Sequence, residues 1–235
     1  MIHSADATEL AACLASGEMS ALELTNAAIA DIELHDGALN AVVVRDFERA
    51  RAAAIAADQQ LHDGVRLPLL GIPITIKESF DVAGLVTSWG LEAFRSSRAS
   101  EDAVAVARLR AAGAIILGKT NVSEGLNGWN AVNPVYGSTG NPVQPGLSPG
   151  GSSSGAAAAI AAGFVPLDIG SDLGGSIRGP AQFCGIYGHV ASGGLIPLRG
   201  HALGGRKARF DLSCPGPMAR SARDLDLAVG VLAGP

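Results

Sequence analysis

The sequence predicts an α/β fold, with a mixed, largely wound β-sheet covered by helices. Predicted strands and helices alternate along the chain, which is typical of a wound sheet. The 235 residues are 48% hydrophobic, enough for one large core, and only 4% aromatic, with 31 glycines. This balance favours Ala- and Gly-rich helices over a β-sandwich built on large aromatic anchors. No repeat or linker divides the sequence, so we expect one domain.

The first quarter of the chain is predicted to be mainly helical. Apolar residues recur at helical spacing over residues 6–16, 20–35 and 47–61, and a short strand, NAVVV, is predicted over residues 40–44. Ser20 is followed three residues later by Glu23, a capping-box pattern that marks the start of the second helix.

The rest of the chain alternates buried strands with helices. Strands are predicted over residues 71–77, 114–117 and 165–170, and helices over residues 101–112, 155–162 and 221–232. Residues 133–154 contain four prolines among Gly, Ser and Asn, which predicts a long loop. A loop of this length that leads directly into an Ala-rich helix is anchored, and such loops are usually functional.

Charge and composition exclude several classes of protein. The 17 Lys and Arg residues against 22 Asp and Glu give a net charge of −5, so we expect no direct nucleic-acid partner. The longest near-apolar stretch, residues 155–167, is shorter than the roughly 20 residues that span a bilayer, so we expect no membrane segment. The N-terminus does not resemble a secretory signal, and three separated cysteines fit a reduced, cytoplasmic protein. The histidines lack metal-ligand spacing, so we expect no metal site.

Residues 113–120, GAIILGKT, match the phosphate-binding P-loop pattern. A P-loop needs its strand before the first glycine and a flexible turn between the two glycines. Here the predicted strand lies between the glycines, so the match does not indicate a nucleotide site.

Residues 151–155, GSSSG, match the nucleophile elbow of α/β-hydrolases, with Ser153 as the nucleophile. The candidate acid and base partners that follow in the required order are Asp168 or Asp172, and His189 or His201. An elbow follows a strand, whereas residues 144–150 contain two prolines and two glycines. The context therefore argues against this interpretation.

A third constellation combines Lys77, the serine run 152–154 and Ser176. A hydroxyl is a weak nucleophile at neutral pH and needs a base, and a lysine at the inner end of an apolar strand can lose enough solvation to act as one. The glycines before Ser176 let backbone N–H groups approach one point, as an oxyanion hole requires. Leu173, Gly174, Gly175 and Ser176 are the candidates for that hole.

Three blocks of the sequence resemble the amidase signature family, the Ser-cisSer-Lys hydrolases of carboxamides. They are GIPITIKESFDVAGL (residues 71–85), SPGGSSSGAAAAIAAG (148–163) and SDLGGSIRGPAQFCGIYGH (171–189), and GAIILGKTN resembles the stretch between the first two. The separations 152 − 77 = 75 and 176 − 152 = 24 agree with the family's catalytic intervals.

The resemblance implies a role for each matching residue. Ser176 corresponds to the acylated nucleophile, Ser152 to the bridging serine after a cis peptide bond, and Lys77 to the ultimate base. Ser153, Asp172 and Arg178 would support the site, the last two by holding the glycine turn. Leu126 and Asn127 correspond to a segment that lines the substrate pocket, although ordinary loop packing explains them equally well. No metal or organic cofactor is implied.

The resemblance also bears on domain organisation and partners. It implies one amidase-signature domain over residues 1–235, with an N-terminal helical part (1–62) and a portion of the catalytic core (63–235). Family members continue for roughly as much chain again, so we expect a fragment whose open sheet needs a missing C-terminal segment or a homodimer partner. The implied function is an amidohydrolase that cleaves a small-molecule linear carboxamide through a serine acyl-enzyme. The alternatives are a silent fragment or binding module, and the glutamine-amidase subunit of a tRNA-dependent amidotransferase.

Overall fold

A computed structural model describes residues 4–203 and 212–234. The helices are α1 (Ala7–Ser16), α2 (Ala21–Leu39), α3 (Phe47–His62), α4 (Val104–Ala111), α5 (Ser154–Ala161), α6 (Arg178–Cys184) and α7 (Ala222–Leu232). The strands are β1 (Val42–Arg45), β2 (Pro73–Lys77), β3 (Ile115–Thr120), β4 (Val132–Asn133), β5 (Gly137–Ser138), β6 (Leu167–Asp172), β7 (Tyr187–Gly188) and β8 (Cys214–Ala219). The predicted α/β class is confirmed.

Six strands form one mixed sheet in the order β1-β3-β2-β6-β8-β7. The central strands β3, β2 and β6 are parallel. On one side β1 pairs antiparallel with β3; on the other side β8 pairs antiparallel with β6, and β7 pairs antiparallel with β8. Parallel strands end at the same edge of a sheet, which is where open α/β sheets place their ligands. Lys77 and Asp172, the last residues of β2 and β6, therefore end at a common edge.

The second helix begins at the capping residue that the sequence predicts. Ser20 and Glu23 form the predicted capping box of α2. This helix continues to Leu39, beyond the predicted end at residue 35. The buried carboxylate of Asp36 accepts hydrogen bonds from the N–H groups of Ala41 and Val42, and these bonds fasten the last turn of the helix to the start of β1.

The last helix is joined to the first by a buried carboxylate. Asp224, in the first turn of α7, accepts hydrogen bonds from Ala7 N at 2.7 Å, Thr8 N at 3.0 Å and Thr8 Oγ1 at 2.9 Å. These N–H groups belong to the first turn of α1, where no intrahelical acceptor exists. Asp224 thus caps a helix that is more than 200 residues earlier in the sequence.

Three elements of the C-terminal part are absent from the sequence-based prediction. The residues DLGGSIRGPA (172–181) have the composition of a Gly/Ser turn, but α6 begins within them at Arg178, and neither β7 nor β8 is predicted. β8 contains Pro215 and Pro217, and proline normally argues against a strand inside a sheet. Among the described residues, β7 pairs only with Met218 and Ala219, so the prolines of β8 need not donate to that neighbour.

The Ala-rich helix α5 lies in the centre of the molecule. All its residues from Ser154 to Ile160 are buried, and it packs against β2, β3, β6 and β8. Small side chains let the helix approach the sheet closely, so its first turn is fixed beside the strand ends. No helix within the described ranges is long and apolar enough to cross a membrane.

Candidate active site

Lys77 ends β2 and is fully buried. Its side-chain nitrogen Nζ lies 2.8 Å from Ser152 Oγ, 3.0 Å from Ser171 Oγ and 3.2 Å from the carbonyl oxygen of Ser171. The predicted lysine and the predicted bridging serine are therefore in direct hydrogen-bond contact, although 75 residues separate them in the sequence.

Burial changes the acid–base character of this amine. Desolvation disfavours the ammonium form and lowers the pKa of Lys77 to about 7, despite the opposing negative charges of Asp172 and Asp168. An ordinary lysine is almost wholly protonated at neutral pH, whereas an amine with this pKa is about half neutral. Lys77 can therefore accept a proton near neutrality.

The Gly151–Ser152 peptide bond is cis, as the resemblance implies. Gly151 has no room for a side chain, because a Cβ atom there would clash with Ser123 Oγ and would lie 3.1 Å from the carbonyl oxygen of Gly128. The loop before α5 is thus packed tightly against residues 123–129.

Ser176 lies beside this serine run. The backbone N–H of Ser153 donates a hydrogen bond of 3.2 Å to the carbonyl oxygen of Ser176, and the Ser153 hydroxyl lies 3.5 Å from the carbonyl oxygen of Ser171. Ser176 is buried but less completely than Lys77 and Ser152, with 9% of the residue exposed. The fold therefore brings Lys77, Ser152 and Ser176 to one edge of the sheet, with Ser176 the nearest to solvent.

The glycine turn before Ser176 is organised by Asp172. Its carboxylate accepts hydrogen bonds from the backbone N–H groups of Gly175 at 2.7 Å, Ile177 at 3.0 Å and Arg178 at 3.2 Å. The guanidinium of Arg178 donates two more, at 3.0 and 2.9 Å. Burial alone would raise the pKa of Asp172, but the hydrogen bonds from Arg178 and the backbone hold it well below its usual range.

This geometry bears on the four backbone N–H groups that the sequence predicts for an oxyanion hole. The N–H of Gly175 is directed to Asp172 Oδ1, so in this conformation it holds the turn. Gly175 has a φ of +104°, which a residue with a side chain rarely adopts, so a glycine is required there. Leu173, Gly174 and Ser176 stay candidate oxyanion donors.

Trp129 covers the glycine turn. Its indole Nε1 donates to the carbonyl oxygen of Gly174 at 3.3 Å, and its ring meets Phe183 edge to face at 6.3 Å between centroids. A shallow cavity beside the turn is lined by Trp129, Gly174, Gly175, Arg178, Gly179, Gln182 and Phe183. Leu126 and Asn127 stand in the sequence between Ser123 and Gly128, two residues that approach Gly151.

Two further residues, Ser171 and His201, lie beside Lys77. The motifs found in the sequence do not assign either of them to the site around this lysine. Ser171 touches Lys77 with both its hydroxyl and its carbonyl oxygen. His201 lies with Nε2 3.0 Å from Ser171 Oγ and 3.0 Å from Ser79 Oγ. The elbow pattern offers His201 only as a partner of Ser153, which instead contacts main-chain oxygen. Ser171 immediately precedes Asp172 in the matching block, and this position could have signalled its place near the lysine.

The structure explains why the P-loop pattern fails. Residues 115–120 form the central strand β3, and Lys119 is buried, with Nζ donating to the carbonyl oxygen of Val86 and to Thr87 Oγ1. Its side chain therefore holds a loop. The described residues also contain no group of His, Cys, Asp and Glu side chains arranged to hold a metal ion.

Comparison with known proteins decides the family. The amidase family model matches residues 23–235. The chain belongs to the amidase family. This membership agrees with the three sequence blocks and with the contact between Lys77 and Ser152.

Individual relatives of this amidase-family chain are similar over nearly all of it. AmiB2 of Mycobacterium tuberculosis, which is described as an amidase by inference, is 45% identical to this chain. The match extends over 223 residues, which are 95% of this chain and 47% of AmiB2. A glutamyl-tRNA(Gln) amidotransferase subunit of Chromohalobacter salexigens is 41% identical over 239 residues, covering 99% of this chain and 47% of the relative. The crystal structure of peptide amidase from Stenotrophomonas maltophilia superposes with a TM-score of 0.91 at 35% identity, covering 99% of this chain and 48% of that one. The chain thus spans about half the length of the relatives it matches.

Proposed function

We propose that this chain carries the catalytic residues of an amidohydrolase that cleaves linear carboxamides by serine acyl transfer. The contact that carries the proposal is the 2.8 Å hydrogen bond between Lys77 Nζ and Ser152 Oγ, because a buried amine beside a hydroxyl is an activated base. Ser176 is the nucleophile of this mechanism; the hydrogen bond of its backbone carbonyl oxygen to Ser153 N, which places it beside the serine run, supports that role, as does its greater exposure than Lys77 and Ser152.

The proposed reaction is a relay in which two protons each move by one position between three side chains. Neutral Lys77 accepts a proton from Ser152, Ser152 accepts one from Ser176, and Ser176 Oγ attacks the amide carbonyl carbon. The C–N bond then breaks, and the proton returns through Ser152 to the leaving amine. Water hydrolyses the acyl-enzyme by the same sequence of transfers, which releases the carboxylic acid and restores Ser176.

When Ser176 attacks, negative charge develops on the carbonyl oxygen of the substrate. Hydrogen-bond donors already held in position stabilise this charge. The backbone N–H groups of Leu173, Gly174 and Ser176 are the proposed donors, and the Asp172–Arg178 pair would keep the turn in place. In this mechanism Asp172 and Arg178 are positioning residues, since their hydrogen bonds go to the turn itself.

The substrate proposed for this site is a neutral aliphatic or aryl amide. The cavity beside the glycine turn has two aromatic walls, Trp129 and Phe183, and Arg178, the charged residue lining it, is already paired with Asp172. Leu126 and Asn127 are the proposed substrate-contacting residues of the adjoining segment.

The similarity to the glutamyl-tRNA(Gln) amidotransferase protein supports a second candidate, a glutamine amidase that works with partner proteins. Glutamine hydrolysis that appears only when such partners are added would favour this candidate. Turnover of simple amides by the protein alone would favour the first. In either case we place the protein in the cytoplasm, where its three unpaired cysteines would stay reduced.

The test is labelling with a fluorophosphonate, followed by peptide mapping. We expect stoichiometric modification of Ser176, no modification in Ser176→Ala, and a large loss of rate in Lys77→Ala. Ser154→Ala is the matched control, since its hydroxyl belongs to the same serine run but donates to the carbonyl oxygen of Asn121. Circular dichroism verifies that each variant is folded. Folded wild-type protein without labelling would contradict the proposal and favour a silent fragment or binding module.

A further inference from the structure

His201 forms a second hydrogen-bonded connection to Lys77, outside the three proposed catalytic residues. Its ring is buried and packs on Phe80 and Trp89, with ring centroids 4.3 and 5.1 Å apart. Nε2 lies 3.0 Å from Ser171 Oγ, and Ser171 Oγ lies 3.0 Å from Lys77 Nζ. A continuous chain of contacts therefore runs from the imidazole to the amine.

The number of hydrogens on Lys77 limits how the hydrogen bonds from His201 to Lys77 can be arranged. A neutral amine has two hydrogens to donate and one lone pair. The carbonyl oxygen of Ser171 can only accept, so it takes one hydrogen at 3.2 Å. The hydroxyl of Ser171 takes the second only if it also accepts. The lone pair then remains for the hydroxyl of Ser152.

The hydroxyl of Ser171 can accept from Lys77 only when its own hydrogen points elsewhere. Nε2 of His201 is the nearby acceptor, provided that the ring is neutral and carries its proton on Nδ1. Burial, aided by the proximity of Lys77, lowers the pKa of His201 to about 3, so the imidazole is neutral throughout the physiological range. Ser79 Oγ also lies 3.0 Å from Nε2, and because unprotonated Nε2 has one lone pair, the hydroxyl of Ser79 must share it or direct its hydrogen elsewhere.

We propose that His201 is a positioning residue that accepts the hydroxyl hydrogen of Ser171 and thereby directs the lone pair of Lys77 at Ser152. This inference rests on the proposed function. It adds a residue from a distant loop to the acid–base machinery and assigns a task to the hydroxyl of Ser171.

Removal of the imidazole nitrogen should change both the labelling rate at Ser176 and the pKa of Lys77. Without an acceptor, the hydroxyl of Ser171 would donate to the lone pair of Lys77 and compete with Ser152. A Ser171 hydroxyl that donates in this way stabilises the neutral amine and no longer accepts a hydrogen bond from the ammonium form. The pKa of Lys77 should therefore fall. The other titratable groups that act on Lys77 are Asp168 and Asp172, and both are unchanged by substitution at His201.

The experiment compares His201→Phe with His201→Gln. Phenylalanine keeps a ring against Phe80 and Trp89 but has no acceptor, whereas the glutamine oxygen can replace Nε2. We expect the plateau rate of fluorophosphonate labelling at Ser176 to fall about 10-fold in His201→Phe, the effect of one hydrogen bond, with the rising limb of the pH profile moved to lower pH. His201→Gln should recover most of the rate. His62→Phe, at the exposed end of α3, is the matched control.

Lysine NMR gives a readout that does not depend on reactivity. The sequence contains three lysines, Lys77, Lys119 and Lys207, so a ¹³Cε-lysine spectrum can be assigned with single substitutions. We expect the titration midpoint of Lys77 to fall in His201→Phe and to return in His201→Gln, while that of Lys119 stays constant.

The outcomes separate this inference from the proposed function. If wild-type Ser176 is labelled and Lys77→Ala is not, but folded His201→Phe keeps the wild-type rate and midpoint, the inference is wrong and the proposed function stands. Equal losses in His201→Phe and His201→Gln, with no change in the Lys77 midpoint, would show a packing role and also overturn it. Failure of wild-type Ser176 to react in folded protein would overturn both.

Discussion

The lowered pKa of Lys77 predicts how the reactivity of Ser176 depends on pH. In the proposed mechanism, only the neutral amine can accept the proton that passes from Ser176 through Ser152. The rate of fluorophosphonate labelling should therefore follow the neutral fraction of Lys77, whose pKa burial lowers to about 7.

The expected magnitude follows from this pKa. The neutral fraction is about 1% at about pH 5, half at about pH 7 and nearly complete at about pH 9. The labelling rate should rise roughly 50-fold over the first interval and only about 2-fold over the second. A lysine with its ordinary pKa would give a rate that rises roughly 10-fold for each pH unit throughout the range.

The assay is stopped-flow or gel-based labelling across this pH range, with folding verified at each pH. Asp168 is a necessary control, because burial raises the pKa of its carboxyl to about 7, opposed by hydrogen bonds from Thr75 and Thr120. Asp168→Asn should keep the rising limb but move it to lower pH, since a negative charge that favours the ammonium form is lost.

Two results would refute this reasoning. A rate that continues to rise 10-fold per pH unit to about pH 9 would show that Lys77 is not a depressed base. A rising limb that disappears in Asp168→Asn, but persists in Lys77→Met, would assign the titration to the carboxyl group.

Three further predictions concern stability. Lys77→Met should stabilise the folded protein at pH 7, because a lysine whose pKa is lowered on folding costs stability at every pH below its unfolded pKa; the gain measured by urea unfolding should be about 2 kcal/mol smaller at pH 9, and a gain that does not change with pH would contradict the lowered pKa. Asp172→Asn removes at least one buried hydrogen bond to the turn and one to the exposed Arg178, so we expect a loss of about 2–3 kcal/mol and slower labelling of Ser176, with Arg178→Lys as the milder comparison. Because the pKa of Asp172 is depressed, its stabilisation is complete above its unfolded pKa and is lost as the pH falls below that value, which acid titration of wild type and variant would measure. Asp224→Ala leaves three donors of α1 without their acceptor and should cost about 2–3 kcal/mol in chemical unfolding, whereas the labelling rate of the folded protein should not change.

The elements with strong local signals could be predicted from the sequence. The capping box of Ser20 and Glu23 and the apolar run of residues 114–117 are confirmed, because capping and burial depend on neighbouring residues. The strand β8 could not be predicted, since its prolines oppose a strand locally and its six-residue pairing with β6 depends on a partner more than 40 residues away. Tertiary pairing overrides local preference there.

The same division applies to the candidate site. Lys77, Ser152 and Ser176 could be proposed from motifs and separations, and Asp172 could be linked to the glycine turn because they are adjacent in the sequence. The place of His201 depends on a loop that returns to the end of β2, and neither the spacing nor the chemistry of residues 190–200 indicates this contact. The commitment of the Gly175 N–H to Asp172 likewise depends on how the turn folds back on the end of β6, which no local pattern specifies.

The carboxylate of Asp224 has a consequence for the order of folding during synthesis. The ribosome releases α1 before α7, yet the carboxylate that accepts from Ala7 N and Thr8 N lies 217 residues downstream of Ala7. Until α7 has left the exit tunnel, the first helix has unsatisfied N–H groups and is only marginally stable, since short helices rarely persist alone in water. Contacts between residues so far apart in the sequence also form slowly, because the long loop between them must close first. The segment that contains α1 should therefore stay sensitive to protease until α7 has emerged, and ribosome-bound chains that stop before residue 224 should show this directly.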